Sequence, residues 1–171
     1  MGDWNLFFAT AAGSAATLVG LLFVASQLHV DVFADEKNRW AALAQSTLTT
    51  LSVCFVVSLF FLVPQLPVQF RGEITGIVIA IALYRAFRIW WPVVRVGEKG
   101  RGHRLVQSFW LLVVPIVGYA YVLFAAVQLM QGHTDALLTL AGSFLILFFI
   151  ALRNAWRLVV SVGREATTGR G

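Results

Sequence analysis

The chain has 171 residues, of which 59% are hydrophobic and 12% charged, with a formal net charge of +5. A soluble domain of this size carries about a quarter charged residues and cannot bury so large an apolar fraction, so lipid is the expected solvent. The basic balance, which in a soluble chain would suggest nucleic acid, is here expected to face anionic headgroups, with no nucleic-acid partner. A single cysteine, Cys54, excludes an internal disulfide framework and reads as a small buried hydrophobe.

A hydrocarbon core takes about 20 apolar residues of helix to cross. Trp4 to Leu28 has no charged residue, and Met-Gly-Asp-Trp-Asn at the start lacks the basic region of a secretory signal. The first segment is therefore expected to stay in place as a helix. Trp40 to Phe70 is again uncharged, and Pro64 and Pro67 end its helix near Val63. Ile74 to Tyr84 is short, but snorkelling Arg85 and Arg88 and the interfacial Trp90 and Trp91 extend it to a full span. Leu105 to Thr134 carries only a histidine, and Ala136 to Leu152 follows a polar turn. The reading is an all-α transmembrane bundle and a single domain, with five helices near 4–29, 40–63, 73–95, 105–130 and 135–160. Pro92 and Pro115 are expected to bend the third and fourth.

With the N-terminus outside and the C-terminus inside, 12 of the 13 Lys and Arg residues fall on the cytoplasmic side and only Arg71 falls outside. This is a strong positive-inside bias and places the chain in the inner cell membrane as a multi-pass protein. A repeat follows the first helix. Ile81-Ala-Leu-Tyr-Arg-Ala-Phe-Arg88 matches Ile150-Ala-Leu-Arg-Asn-Ala-Trp-Arg157, and Gln45-Ser46 matches Gln107-Ser108. Matched pairs are 62 to 69 residues apart, as for a helical hairpin used twice in one orientation.

From Ala9 to Thr17 the first helix has no large side chain. Small residues let neighbouring backbones approach, and a run small on every face predicts enclosure on every face. Two arrangements give that enclosure. In one, the helix is a central strut within the monomer. In the other, it lines the axis of a homo-oligomer, with Thr10, Ser14, Thr17, Leu21, Val24 and Leu28 on one stripe. Its upper part would be lined by hydroxyls and its lower part would be an apolar gate. Thr47, Thr50, Cys54 and Ser58 share a face of the second helix, where interhelical packing is the favoured role over a polar path.

Arg85, Arg88, Arg153 and Arg157 are the costliest residues, since an arginine at the bilayer centre costs about 2.5–3.5 kcal/mol on insertion scales. All eight carboxylates lie in expected loops, tails or helix edges, so lipid phosphates or a bound anion are the expected partners. His29-Val-Asp31 and His133-Thr-Asp135 are isolated pairs without the further ligands a metal needs. No catalytic constellation, phosphate loop or cofactor motif is present in the sequence, and no enzyme activity is expected.

Phe7-Phe8-Ala-Thr-Ala-Ala-Gly-Ser-Ala-Ala-Thr-Leu-Val-Gly-Leu-Leu-Phe-Val-Ala25 resembles a family of small bacterial membrane proteins, some described as modulators of a membrane-bound protease. Leu18-Val-Gly-Leu-Leu-Phe-Val-Ala25 also resembles the pore-lining first helix of Orai-type calcium channels. The first helix has no internal acidic residue, and its expected direction is reversed, so calcium selectivity does not follow. The functional expectation is a homo-oligomeric channel or transport protein organised around the first helix. The alternative is a non-transporting regulator or scaffold for another membrane protein. The orientation is testable with reporter cysteines in a Cys54→Ser background. Gly102→Cys and Gly169→Cys should be shielded from an impermeant thiol reagent in intact cells, and Gly132→Cys should label. External labelling at Gly102→Cys would reverse the topology.

Overall fold

The computed structural model describes the backbone of residues 2–27, 39–97 and 102–168, with side chains described over 4–27, 41–89 and 115–158. Five helices account for nearly all of it: α1 (Gly2–Gln27), α2 (Arg39–Leu62), α3 (Val68–Gly97), α4 (Gly102–Met130) and α5 (Ala136–Thr168). No strand occurs among the described residues. Trp4–Gln27, Ala41–Leu62 and Ala136–Leu158 are each long and apolar enough to cross a membrane, and Pro115–Met130 is a shorter apolar stretch.

Every expected helix is present, with shifted ends. α3 begins at Val68 rather than near residue 73, because the Pro67 carbonyl accepts the Arg71 amide at 3.1 Å and the proline opens the first turn instead of blocking it. α5 runs to Thr168, and its 33 residues measure about 50 Å, more than a 30 Å hydrocarbon layer requires. Helical structure continues through both Pro92 and Pro115. After α4, the Gly132 amide donates to the Leu129 carbonyl and the His133 amide to the Gln128 carbonyl, at 2.9 and 3.0 Å. That paired pattern needs a left-handed residue, and Gly132 supplies φ 84° without a Cβ penalty. The exposed Thr134 is therefore a better place than Gly132 for a reporter cysteine in this turn.

Helices α2 to α5 close a ring, in which α2 packs on α3, α3 on α4, α4 on α5 and α5 back on α2. Large side chains fill its interior, among them Val57 and Phe61 from α2, Ile79 from α3, Tyr119 and Leu129 from α4, and Phe144 and Leu147 from α5. Across this interior the Thr50 and Tyr119 hydroxyls share a hydrogen bond of 2.8 Å. The hydroxyls of Thr47, Thr50 and Thr75 each also donate to a carbonyl one turn back, so these buried polar groups are satisfied as an apolar surrounding requires. Large apolar residues also cover the outside: Leu138, Phe149 and Trp156 are each about 70% exposed. A surface this apolar suits lipid contact. The repeated segment keeps part of its burial pattern, with Ala82 and Ala151 buried and Phe87 and Trp156 exposed, but Arg85 is exposed where its counterpart Asn154 is buried.

Among the described glycines, Gly72 marks the closest backbone-to-backbone approach, joining α3 to α4. A Cβ there would meet the Ala126 carbonyl oxygen and the Met130 amide nitrogen at 2.8 Å, both backbone atoms that cannot rotate away. Gly142 on α5 has nothing within 4 Å of the same added carbon. Gly72→Ala should therefore cost about 1–3 kcal/mol of stability by forcing the helices apart. Gly142→Ala should be neutral or slightly stabilising in thermal unfolding of the detergent-solubilised protein. Equal melting temperatures for the two variants would contradict the close approach.

Candidate functional site

Helix α1 lies outside the ring, along α2 and touching one edge of α5. It is anchored at its N-terminal end by aromatic rings. Phe8 stacks on Phe61 with centroids 4.5 Å apart and meets Phe144 edge-on at 6.2 Å. Phe61 in turn lies under the Arg71 guanidinium, 5.6 Å from ring to cation, and Arg71 Nη2 donates to the Val63 carbonyl at 3.1 Å. One cation thus ties the start of α3 to the α2–α3 turn and to the ring that seats α1. Further along, Ala11, Ala12, Ala15 and Leu22 are buried, a 3–4 residue spacing that turns one narrow face of α1 inward.

The expected enclosure on every side is not found within one chain, and the central-strut arrangement is corrected. The ring interior is already occupied by side chains from α2 to α5, so α1 has only an outer position available. Its small residues divide by face. Ala11, Ala12 and Ala15 permit close packing on the bundle, whereas Ala9, Gly13, Ala16 and Gly20 are exposed.

The expected stripe lies on the open side. Thr10, Ser14 and Thr17 are exposed, Leu21 is 62% exposed and Val24 57% exposed. Leu28 is outside the described residues. The Thr10 hydroxyl donates to the Leu6 carbonyl at 2.8 Å and the Thr17 hydroxyl to the Gly13 carbonyl at 2.9 Å, so each retains acceptor capacity toward the outside. The α2 hydroxyl face, by contrast, is buried in the ring with Cys54, as a packing surface requires. Ser58 Oγ has no partner there.

Arg85, Arg88 and Arg153 are exposed and Arg157 half-buried, on α3 and α5. Among the described residues no ion pair neutralises them, and no three His, Cys, Asp or Glu side chains come together. His133 and Asp135 lie in the exposed α4–α5 turn, while His29 and Asp31 fall outside the described residues. The signal missed in the sequence is Arg71, which the charge count marks only as the outlier of the basic distribution. Comparison with known protein families, with characterised proteins and with solved structures returns no match.

Gly13 sits at the middle of the open face, with nothing within 4 Å of an added Cβ. Gly13→Leu therefore sends its first side-chain carbon into open space on the exposed face, and a loss of assembly with the helices intact reports a neighbour outside that chain. The expected outcome is an unchanged helical spectrum together with a smaller particle by size-exclusion chromatography with light scattering. Unchanged size would mean that this face meets lipid alone.

Proposed function

We propose that this chain is a multi-pass inner-membrane protein, N-terminus outside and C-terminus inside, whose copies assemble through the open face of α1 into a homo-oligomeric channel or transport protein. The observation that carries the reading is the stripe of Thr10, Ser14, Thr17, Leu21 and Val24, aligned and exposed on a helix whose opposite face is packed. Among the described residues the ring interior is filled, which favours a route between copies over one through a single chain. Hydroxyls toward one end would offer oxygen atoms to a hydrated solute, and Leu21 and Val24 toward the other would close the path by dewetting. The 12-to-1 distribution of basic residues supports the orientation. The matched segments on α3 and α5 support a duplicated hairpin, with α1 as the added element.

One observation favours the second reading, a regulatory or scaffolding partner of another membrane protein. The Thr10 and Thr17 hydroxyls are already bonded to their own helix, which suits a dry helix–helix contact as well as a wet path.

Two substitutions at nearly one depth separate these readings. Leu21→Ser adds a hydrogen-bonding group to the proposed gate, and should raise ion flux in reconstituted liposomes. Leu22→Ser lies about 100° round the helix, where the native side chain is buried against α2. It should weaken packing without raising flux. Background flux from the wild type and both variants, with assembly intact, would favour the scaffold.

A further inference from the structure

A groove of about 280 Å³ runs along the outside of the bundle between α2 and α3. Its floor is Val53 and Ala82, both buried, and its rim includes Leu48 and Ile81, 39% and 55% exposed. Arg85 is the last α3 residue along it toward Gly97, and the hydroxyls of Thr49 and Ser52 line it from α2. The Thr49 hydroxyl proton is committed to the Gln45 carbonyl at 2.8 Å, whereas Ser52 is exposed. Neither Glu73 nor Asp135, the carboxylates whose side chains are described, reaches the groove.

Position along the helix makes this arginine unusual. Arg85 is fifteen residues beyond Phe70, about 22 Å of rise, with a further three turns of α3 still to come. A cation at that depth needs a phosphate brought to it, or a side chain reaching out to the headgroups. A groove that is apolar along its floor and cationic at one end complements a molecule with an acyl tail and an anionic head. The guanidinium fork matches a phosphodiester in two parallel hydrogen bonds, and a serine hydroxyl can add a third donor.

We infer that this groove is a specific site for one anionic phospholipid, with an acyl chain lying over Val53 and Ala82 and the headgroup phosphate on Arg85. The site requires only that the chain lies in a bilayer, and it is independent of any channel along α1. Arg88, one turn further on and also exposed, does not line the groove and serves only the general attraction of a basic surface.

Native mass spectrometry of the delipidated full chain, with dioleoylphosphatidylglycerol or dioleoylphosphatidylcholine added at equal concentration, tests this. Both lipids offer a phosphodiester, but the choline ammonium cancels the headgroup charge. The wild type should therefore retain the anionic lipid about fivefold better, the preference expected of one basic side chain for net negative charge. Arg85→Gln should abolish the preference, Arg85→Lys should keep part of it because the charge stays while the paired donors are lost, and Arg88→Gln should keep it in full. Ser52→Trp, which fills the groove, should reduce retention of both lipids while leaving the helical spectrum unchanged. Excess inorganic phosphate should not displace the lipid, because it has no chain to occupy the groove. Equal retention of the two lipids by the wild type would overturn the site, as would equal losses in Arg85→Gln and Arg88→Gln or displacement by phosphate. Should Arg85→Gln fail to fold, the wild-type preference and Ser52→Trp decide the matter.

Discussion

Between α2, α3, α4 and α5 the space is occupied. Phe61, Tyr119, Phe144 and Leu147 converge there with the smaller Val57 and Ile79, and the Thr50–Tyr119 hydrogen bond spans opposite helices of the ring. Protein interiors pack to the density of organic crystals, so over the described residues an interior filled in this way leaves no place for a fifth helix. Helix α1 is displaced to the outside by that filling. It finds a seat on Phe61 and Phe144 through Phe8, and along α2 through three alanines. Its other face is left open, and the functional reading follows from that open face.

Arg71 links the seat to the rest of the fold. Its guanidinium holds the Val63 carbonyl and covers the Phe61 ring, while its backbone amide closes the first turn of α3. Its Nε is buried with no partner. The cation–π contact and the charge-assisted hydrogen bond therefore hold the guanidinium in place. The next residue, Gly72, lets α4 approach to backbone contact. Two adjacent residues thus fix the start of α3 against the turn on one side and against α4 on the other.

Helix existence was legible because long uncharged runs leave little alternative, because Arg85 and Arg88 could be read as extending the short run from Ile74, and because Pro64 and Pro67 mark the end of the second helix. Tertiary choice was not legible. A polar face on α2 is visible in Thr47, Thr50 and Ser58, but its partner Tyr119 is 69 residues away and carries no local sign of the pairing. Gly72, flanked by Arg71 and Glu73, gives no hint that a neighbouring backbone lies 2.8 Å from its missing Cβ. The small-residue run of α1 says that close approach is permitted, not which face uses it. Ala11, Ala12 and Ala15 face the bundle and Ala9, Gly13 and Ala16 face away, a division set by where Phe8 and Leu22 are buried. The arginines were legible as costly. That Arg85 lines a groove depends on how α2 lies against α3.

The proposed assembly stands or falls on what covers the open face of α1, and cross-linking in native membranes reads this directly. Thr17→Cys, in a Cys54→Ser background, places a thiol at the centre of the stripe, and Ile146→Cys places one on the exposed side of α5. Oxidation with copper phenanthroline should convert Thr17→Cys to a disulfide-linked dimer of this chain and leave Ile146→Cys monomeric. A monomeric Thr17→Cys under conditions that cross-link Ile146→Cys, or equal cross-linking of both, would contradict an assembly built around α1.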